Sequence, residues 1–120
     1  MSCEVEYTNE FGAWWDSLSE GEQDDVAAVI SLLEERGVAL PFPYSSQIRG
    51  ARHAHMRELR IQSGGKPLRI FYAFDPRRTA ILLIGGNKAG DDRFYERWLP
   101  RADELYDVYL KELKDEGLIP

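Results

Sequence analysis

The sequence predicts an α+β fold: an N-terminal strand, a helical hairpin, an antiparallel three-strand meander and a C-terminal helix. Three observations carry that reading. Residues 56–88 hold three short runs rich in β-branched and aromatic residues, broken by Ser63-Gly64-Gly65-Lys66 and Asp75-Pro76-Arg77-Arg78; this is strand composition punctuated by turn formers. Two stretches of helical apolar period precede the meander, and another follows it. Short turns pair sequential strands antiparallel, and the helices are expected on one face of the sheet.

In order, Glu4-Val5-Glu6-Tyr7 alternates polar and apolar residues and reads as a short strand. Thr8 or Asn9 suits a helix cap. Phe11, Trp14, Trp15 and Leu18 then fall at i, i+3, i+4 and i+7, an aromatic helix face whose tryptophans read as core or interface anchors. Ser19 with Glu22 has capping-box spacing. Val26, Val29, Ile30 and Leu33 give a second amphipathic helix, stopped by Gly37. Pro41 to Ser46 reads as a loop, because the residue before each proline is pushed away from helix; Ile48 to Ala54 is ambiguous.

Within the meander, alternation puts Arg57, Leu59 and Ile61 on one face of the first strand and Met56, Glu58 and Arg60 on the other. Arg57 and Arg60 share a face only if a bulge intervenes. In the second strand Leu68, Ile70, Tyr72 and Phe74 point together, with Arg69 opposite. The third, residues 79–84, is nearly continuously apolar and is expected to be covered on both faces. Gly85-Gly86-Asn87-Lys88-Ala89-Gly90 reads as the loop that closes the sheet; it lacks the spacing of a phosphate-binding P-loop. Asp91 or Asp92 is expected to cap a short helix ending at Trp98. Pro100 then opens a further helix, whose apolar stripe is Ala102, Leu105, Tyr106, Tyr109, Leu110 and Leu113.

The 120 residues fit one domain, and 43% hydrophobic with 30% charged residues is ordinary globular composition. No apolar run approaches the roughly 20 residues of a membrane span. With no basic and apolar leader pattern, a cytoplasmic protein without a membrane partner is expected. Cys3, the only cysteine, makes no internal disulfide, and no Cys/His spacing suggests zinc. The expectation is therefore no metal and no cofactor.

The net charge of −6 conceals segregation. Residues 1–48 hold one Arg against ten Asp/Glu, residues 49–101 hold twelve Lys/Arg against five, and residues 102–120 hold two against six. One reading is chance clustering on a solvated surface; the other is a cationic face for a polyanion, framed by acidic helices. The low pI of about 4.9 argues against indiscriminate nucleic-acid binding. His53 and His55 sit at i, i+2 without a nearby acidic or thiol partner in sequence, a surface or phosphate-adjacent pair rather than a metal site.

The element order and the runs Arg57-Glu58-Leu59-Arg60, Arg69-Ile70-Phe71-Tyr72-Ala73, Gly86-Asn87-Lys88 and Arg93-Phe94-Tyr95 resemble the RelE/ParE toxin superfamily, in particular its HigB-like, phage-derived branch. The resemblance implies the toxin of a type II toxin–antitoxin pair: a ribosome-dependent, metal-independent mRNA endoribonuclease that inhibits translation. It also implies a helix-turn-helix antitoxin as partner and contact with operator DNA only through the antitoxin complex. Carried over residue by residue, Arg69, Lys88 and Tyr95 correspond to the catalytic positions. Arg57, Arg60 and Arg93 correspond to RNA-binding positions, the first two only roughly. Ala89 replaces a second basic residue after the last strand, and Glu58 stands where a cation is often found.

Cleavage without metal needs a base for the 2′-hydroxyl, cations for the developing phosphoryl charge, and an acid for the leaving oxygen. Arg69 and Lys88 suit the cationic role. Tyr95 suits base stacking, or proton transfer if neighbouring cations lower its pKa from about 10. Glu58 is a base by residue type alone. The bland alternative is that Arg57, Arg60 and Arg69 merely pair with Glu58, Asp75, Asp91 or the acidic helices. Two further functions stay open: a ParE-like DNA gyrase inhibitor, and a catalytically weak toxin-fold module that binds an antitoxin.

Overall fold

In a computed structural model, which describes residues 2–120, strand β1 (Val5–Tyr7) leads into helices α1 (Asn9–Asp16) and α2 (Glu20–Arg36). Strand β2 (Ser45–Gln47) is followed by the meander β3 (Arg57–Ser63), β4 (Lys66–Phe74) and β5 (Ala80–Asn87), and by helix α3 (Phe94–Asp115). The strands form one sheet in the order β1-β5-β4-β3-β2, antiparallel except where β1 runs parallel to β5. Among the described residues no helix is long and apolar enough to cross a membrane.

Local chemistry explains most boundaries. Thr8 caps α1 by accepting the Phe11 N–H at 3.0 Å and donates its own hydroxyl to the Leu83 carbonyl at 2.6 Å, tying the helix start to β5. Ser19 and Glu22 form both bonds of a capping box. Gly64 and Gly65 both have positive φ, which a two-residue hairpin turn requires and only glycine adopts without strain.

The helices cover both faces of the sheet, not one. Phe11, Val26, Val29 and Leu33 of α1 and α2 bury against Leu59, Ile61, Leu68, Ile70, Tyr72 and Leu82. On the other face Phe94, Leu99, Ala102 and Leu105 of α3 bury against Phe71, Ala73, Ile81 and Leu83. A strand with apolar residues on both pleats demands two covers, and β4 and β5 supply that demand. A bulge in the β4–β5 ladder, with Phe71 opposite Ile84 but Tyr72 opposite Leu82, leaves Leu83 extra; Leu83 and Ile84 therefore both meet the α3 face.

Three local expectations are corrected. The segment read as a loop contributes β2, whose Ser45–Gln47 pair with Leu59–Arg57 at the sheet edge. Gly85 and Gly86 are strand residues, not a closing loop. A Cβ on Gly85 would lie 2.4 Å from the Trp14 ring, and one on Gly86 3.0 Å from Phe94. The pair of glycines is thus where aromatic rings from opposite faces press onto the strand. Finally, α3 is one helix that continues through Pro100 instead of two. Its N-cap is Arg93 without a side-chain bond; Asp91 instead accepts the Arg93 N–H at 3.1 Å just outside the helix.

Candidate functional site

The α3 face of β3 and β4 carries a polar cluster inside otherwise apolar packing. Register builds it: Arg60 lies directly opposite Arg69, and Arg69 opposite Gly86, so two like charges and a vacant side-chain position fall in one row across the sheet. Like charges directly opposite repel. Glu58, two residues before Arg60 on the same face, relieves that repulsion: its Oε2 lies 3.6 Å from Arg60 Nη1, and its Oε1 lies 3.6 Å from Arg69 Nε. Both Glu58 and Arg69 are about 5% exposed.

Helix α3 and strand β2 close the cluster. The Tyr95 hydroxyl donates to Glu58 Oε1 at 2.7 Å, and the Ser46 hydroxyl to Oε2 at 2.8 Å. Arg69 Nη1 donates to the Leu68 carbonyl at 3.0 Å, but its buried Nε has no hydrogen-bond partner among the described residues. The Lys88 ammonium sits 5.2 Å from the centre of the Tyr95 ring. A shallow, open cleft of about 240 Å³ leads to Glu58 and Tyr95, walled by Gln47, Ile48 and Arg49.

The structure therefore gathers Arg69, Lys88 and Tyr95, with Arg60 beside them. It does not gather all six expected residues. Arg57 points to the opposite face, where its Nε donates to Ser45 Oγ at 3.2 Å; that hydroxyl is in turn 2.6 Å from the Tyr72 hydroxyl. No bulge intervenes in β3 to bring Arg57 and Arg60 together. Arg93 is exposed and pairs with Glu96 at 3.0 Å. Glu58, at the centre, is the residue that sequence reasoning undervalued. Its signal was present: alternation alone puts it on the face of Arg60, and on the neighbouring strand Arg69 likewise points away from the Leu68 side.

The electrostatics also revise the expectation for Tyr95. Burial and the Glu58 carboxyl both raise its pKa, and Arg69 offsets this only in part. Tyr95 is thus a protonated donor at neutral pH, not a phenolate base.

Most other cations of the basic central segment are matched to acids. Arg77 pairs with Asp75 and Glu6, Arg97 with Asp91, Arg101 with Glu10 and Glu104, and Lys66 with Glu22. Arg52 and His53 are clasped by α3. The Asp103 carboxylate accepts their backbone N–H groups at 2.7 and 3.1 Å, and Asp107 pairs with both side chains. The tertiary fold thus supplies His53 with the acidic partners its sequence neighbours lack, and employs it in holding a loop. Among the described residues, Arg49 and Lys88 near the cleft form no ion pair within 4.0 Å.

Residues 13–107 match the family described as Phage derived protein Gp49-like (DUF891). The chain is 42% identical over 105 residues to the putative toxin HigB2 of Mycobacterium tuberculosis, covering 86% of this chain and 52% of that protein. It therefore spans about half the length of that relative. It is 38% identical over 98 residues to the putative toxin HigB3 of the same organism, covering 81% of this chain and 84% of that one. Among solved structures, a mutant of the Escherichia coli toxin RelE in the free state superposes with a TM-score of 0.58 at 11% identity, covering 80% of this chain and 94% of that one. RelBE2, a toxin–antitoxin complex from Mycobacterium tuberculosis, gives 0.55 at 17% identity, covering 72% and 99%. At such identities the structural likeness is one of fold.

Proposed function

Because the chain belongs to the phage-derived Gp49-like family, we propose that it is the toxin of a type II toxin–antitoxin pair, acting in the cytoplasm as an endoribonuclease on mRNA at the ribosome. The single observation that carries the catalytic part is the buried, incompletely bonded Glu58–Arg69 pair, whose Glu58 lines an open cleft together with Tyr95, with Lys88 against the Tyr95 ring. Buried polar groups are ordinarily satisfied, and a guanidinium N–H held without a hydrogen bond suits an incoming phosphate oxygen.

In this reading the 2′-oxygen attacks the adjacent phosphorus while Glu58, the one carboxylate lining the cleft, takes the hydroxyl proton. Arg69 and Lys88 stabilise the charge that builds on the phosphoryl oxygens. The bond to the 5′-oxygen breaks, and Tyr95, kept protonated by its surroundings, supplies the proton to the leaving oxygen. The products are a 2′,3′-cyclic phosphate and a 5′-hydroxyl. Arg60 and Arg49 flank the path of the strand. The names of the HigB2 and HigB3 relatives and the fold shared with RelE in toxin–antitoxin complexes support a protein antitoxin as partner. We assign to that antitoxin the helix-turn-helix and any contact with operator DNA.

Expression of the intact chain should arrest growth and cut transcripts only while they are translated. Arg69→Ala with Lys88→Ala should abolish both effects, and Glu58→Gln should slow cleavage on the order of 100-fold or more. Full toxicity of the Arg69/Lys88 double variant would sink the mechanism. DNA damage without transcript cleavage would point to a gyrase inhibitor.

A further inference from the structure

The sheet face opposite the Glu58 cluster carries a second feature. Between α1, α2 and the edge strand β1 runs a groove of about 550 Å³ whose floor is Val5, Phe11, Trp15, Ile30 and Leu82. Tyr7, at its rim, is 67% exposed, a large aromatic left standing in solvent. The α2 wall is lined by Ala27 and Ser31, small exposed residues that keep the groove wide. Asp16 and Glu34 stand in its lining, both exposed. Neither forms an ion pair among the described residues, whereas ten other acids of the chain do. The uncompensated negative charge of residues 1–48 is concentrated on the elements that build this groove.

An apolar floor with exposed aromatic and uncompensated carboxylates fits one kind of occupant: an amphipathic helix with an apolar stripe and flanking Lys or Arg. Apolar anchors fill such grooves at i, i+3, i+4 spacing, and complementary charge fixes orientation and accelerates encounter. We infer that this groove is the docking site of a basic amphipathic helix of the antitoxin. The inference rests on the toxin–antitoxin reading and adds the surface, the chemistry of the partner segment and a geometric consequence. Docking there leaves the Glu58–Tyr95 cleft, on the other face of the sheet, uncovered by that helix.

The test uses the full chain and the purified product of the adjacent reading frame, with binding measured by calorimetry and mapped by hydrogen exchange. Ala27→Arg with Ser31→Arg should weaken binding about 100-fold by filling and reversing the charge of the groove. Ala28→Arg, exposed on the same helix but outside the groove, should change it less than about threefold. Asp16→Asn with Glu34→Gln, which removes charge at nearly constant volume, should weaken it about tenfold at low salt and leave little difference at 1 M salt. Protection from exchange should fall on residues 5–16 and 27–34. Wild-type affinity in both double variants, or protection confined to α3 and β3, overturns the groove assignment alone. If the wild-type chain does not bind the product at all, the toxin–antitoxin reading falls with it. If the groove variants instead turn a dimer of this chain into monomers in sedimentation without changing affinity for the product, the occupant is a second copy and the inference fails.

Discussion

Two buried carboxylates face α3, and each is served by an arginine and by a tyrosine from that helix. Yet they are finished differently. Asp75, in the β4–β5 turn, is fully satisfied: Oδ1 accepts the backbone N–H groups of Arg77 and Thr79 at 2.7 and 3.2 Å, and Oδ2 accepts Arg77 and the Tyr109 hydroxyl, both at 2.9 Å. Tyr109 is also 2.8 Å from Glu6, so the cluster ties β1, the turn and α3 into one joint. Glu58 accepts two hydroxyls but no backbone N–H, its arginines stand at 3.6 Å, and Arg69 Nε has no partner among the described residues. The same three side-chain types make a closed joint at one site and an open, electrostatically loaded cleft at the other. What separates them is the bonding left over, which supports the chemistry proposed for Glu58 and leaves Asp75 a joint between elements.

Three experiments break or sharpen that contrast. The largest effect is expected from Asp75→Ala, which strips two backbone N–H groups of their acceptor in a buried place and removes the carboxylate that pairs with Arg77. A loss of about 3–5 kcal/mol is expected in urea unfolding, and a loss under about 1 kcal/mol would show the joint to be dispensable. Glu58→Met combined with Arg69→Met removes an ion pair whose one backbone bond is from Arg69 Nη1 to the Leu68 carbonyl of the adjacent residue. Stability should stay unchanged or rise by about 1–2 kcal/mol, while toxicity disappears. If the paired replacement unfolds the protein, Glu58–Arg69 is a second structural joint and the contrast is wrong.

The smallest effect is spectroscopic. Burial and a neighbouring carboxylate raise the phenol pKa of both Tyr95 and Tyr109. A group raised on folding stabilises the native state below its unfolded value, about 10 for tyrosine. That contribution is lost only as pH rises through the higher folded value. In an ultraviolet titration of the native protein, Tyr95 and Tyr109 should be among the last of the six tyrosines to ionise. Subtracting the Tyr95→Phe curve identifies the Tyr95 contribution, and ionisation at or below pH 10 would restore a base role for Tyr95.

Much of this was legible in the chain. The Ser19–Glu22 box, the Gly64-Gly65 turn and the alternation that sends Arg69 away from Leu68, Ile70 and Tyr72 are local consequences of neighbouring residues, and each is seen. The resemblance to RelE/ParE toxins further singled out Arg69, Lys88 and Tyr95, which do converge. Less legible were the residues whose meaning depends on a distant partner. Gly85-Gly86 reads as a turn because glycine says nothing about what lies against it; only Trp14 and Phe94 reveal why no side chain fits there. Pro100 reads as a helix start, but burial of Phe94 and Leu99 on one side and of Ala102 and Leu105 on the other holds a single helix across it. The segregated positive charge reads as a face, yet the fold pairs most of it with acids, some near in sequence, as Asp91 is to Arg97, and some far, as Glu10 is to Arg101.

The sequence by itself determined β1, the helical hairpin, the three meander strands, the pleat of β3 and β4, and the family, because these follow from periods and caps a few residues long and from short runs that survive divergence. Only the tertiary structure decided that helices cover both faces, that Glu58 stands between Arg60, Arg69 and Tyr95, that Arg57 is spent on Ser45, and that an acidic apolar groove remains beside β1. Those outcomes depend on register and on packing between elements tens of residues apart. There a single side chain's partners are set by the closing of the whole sheet, and no local pattern records them.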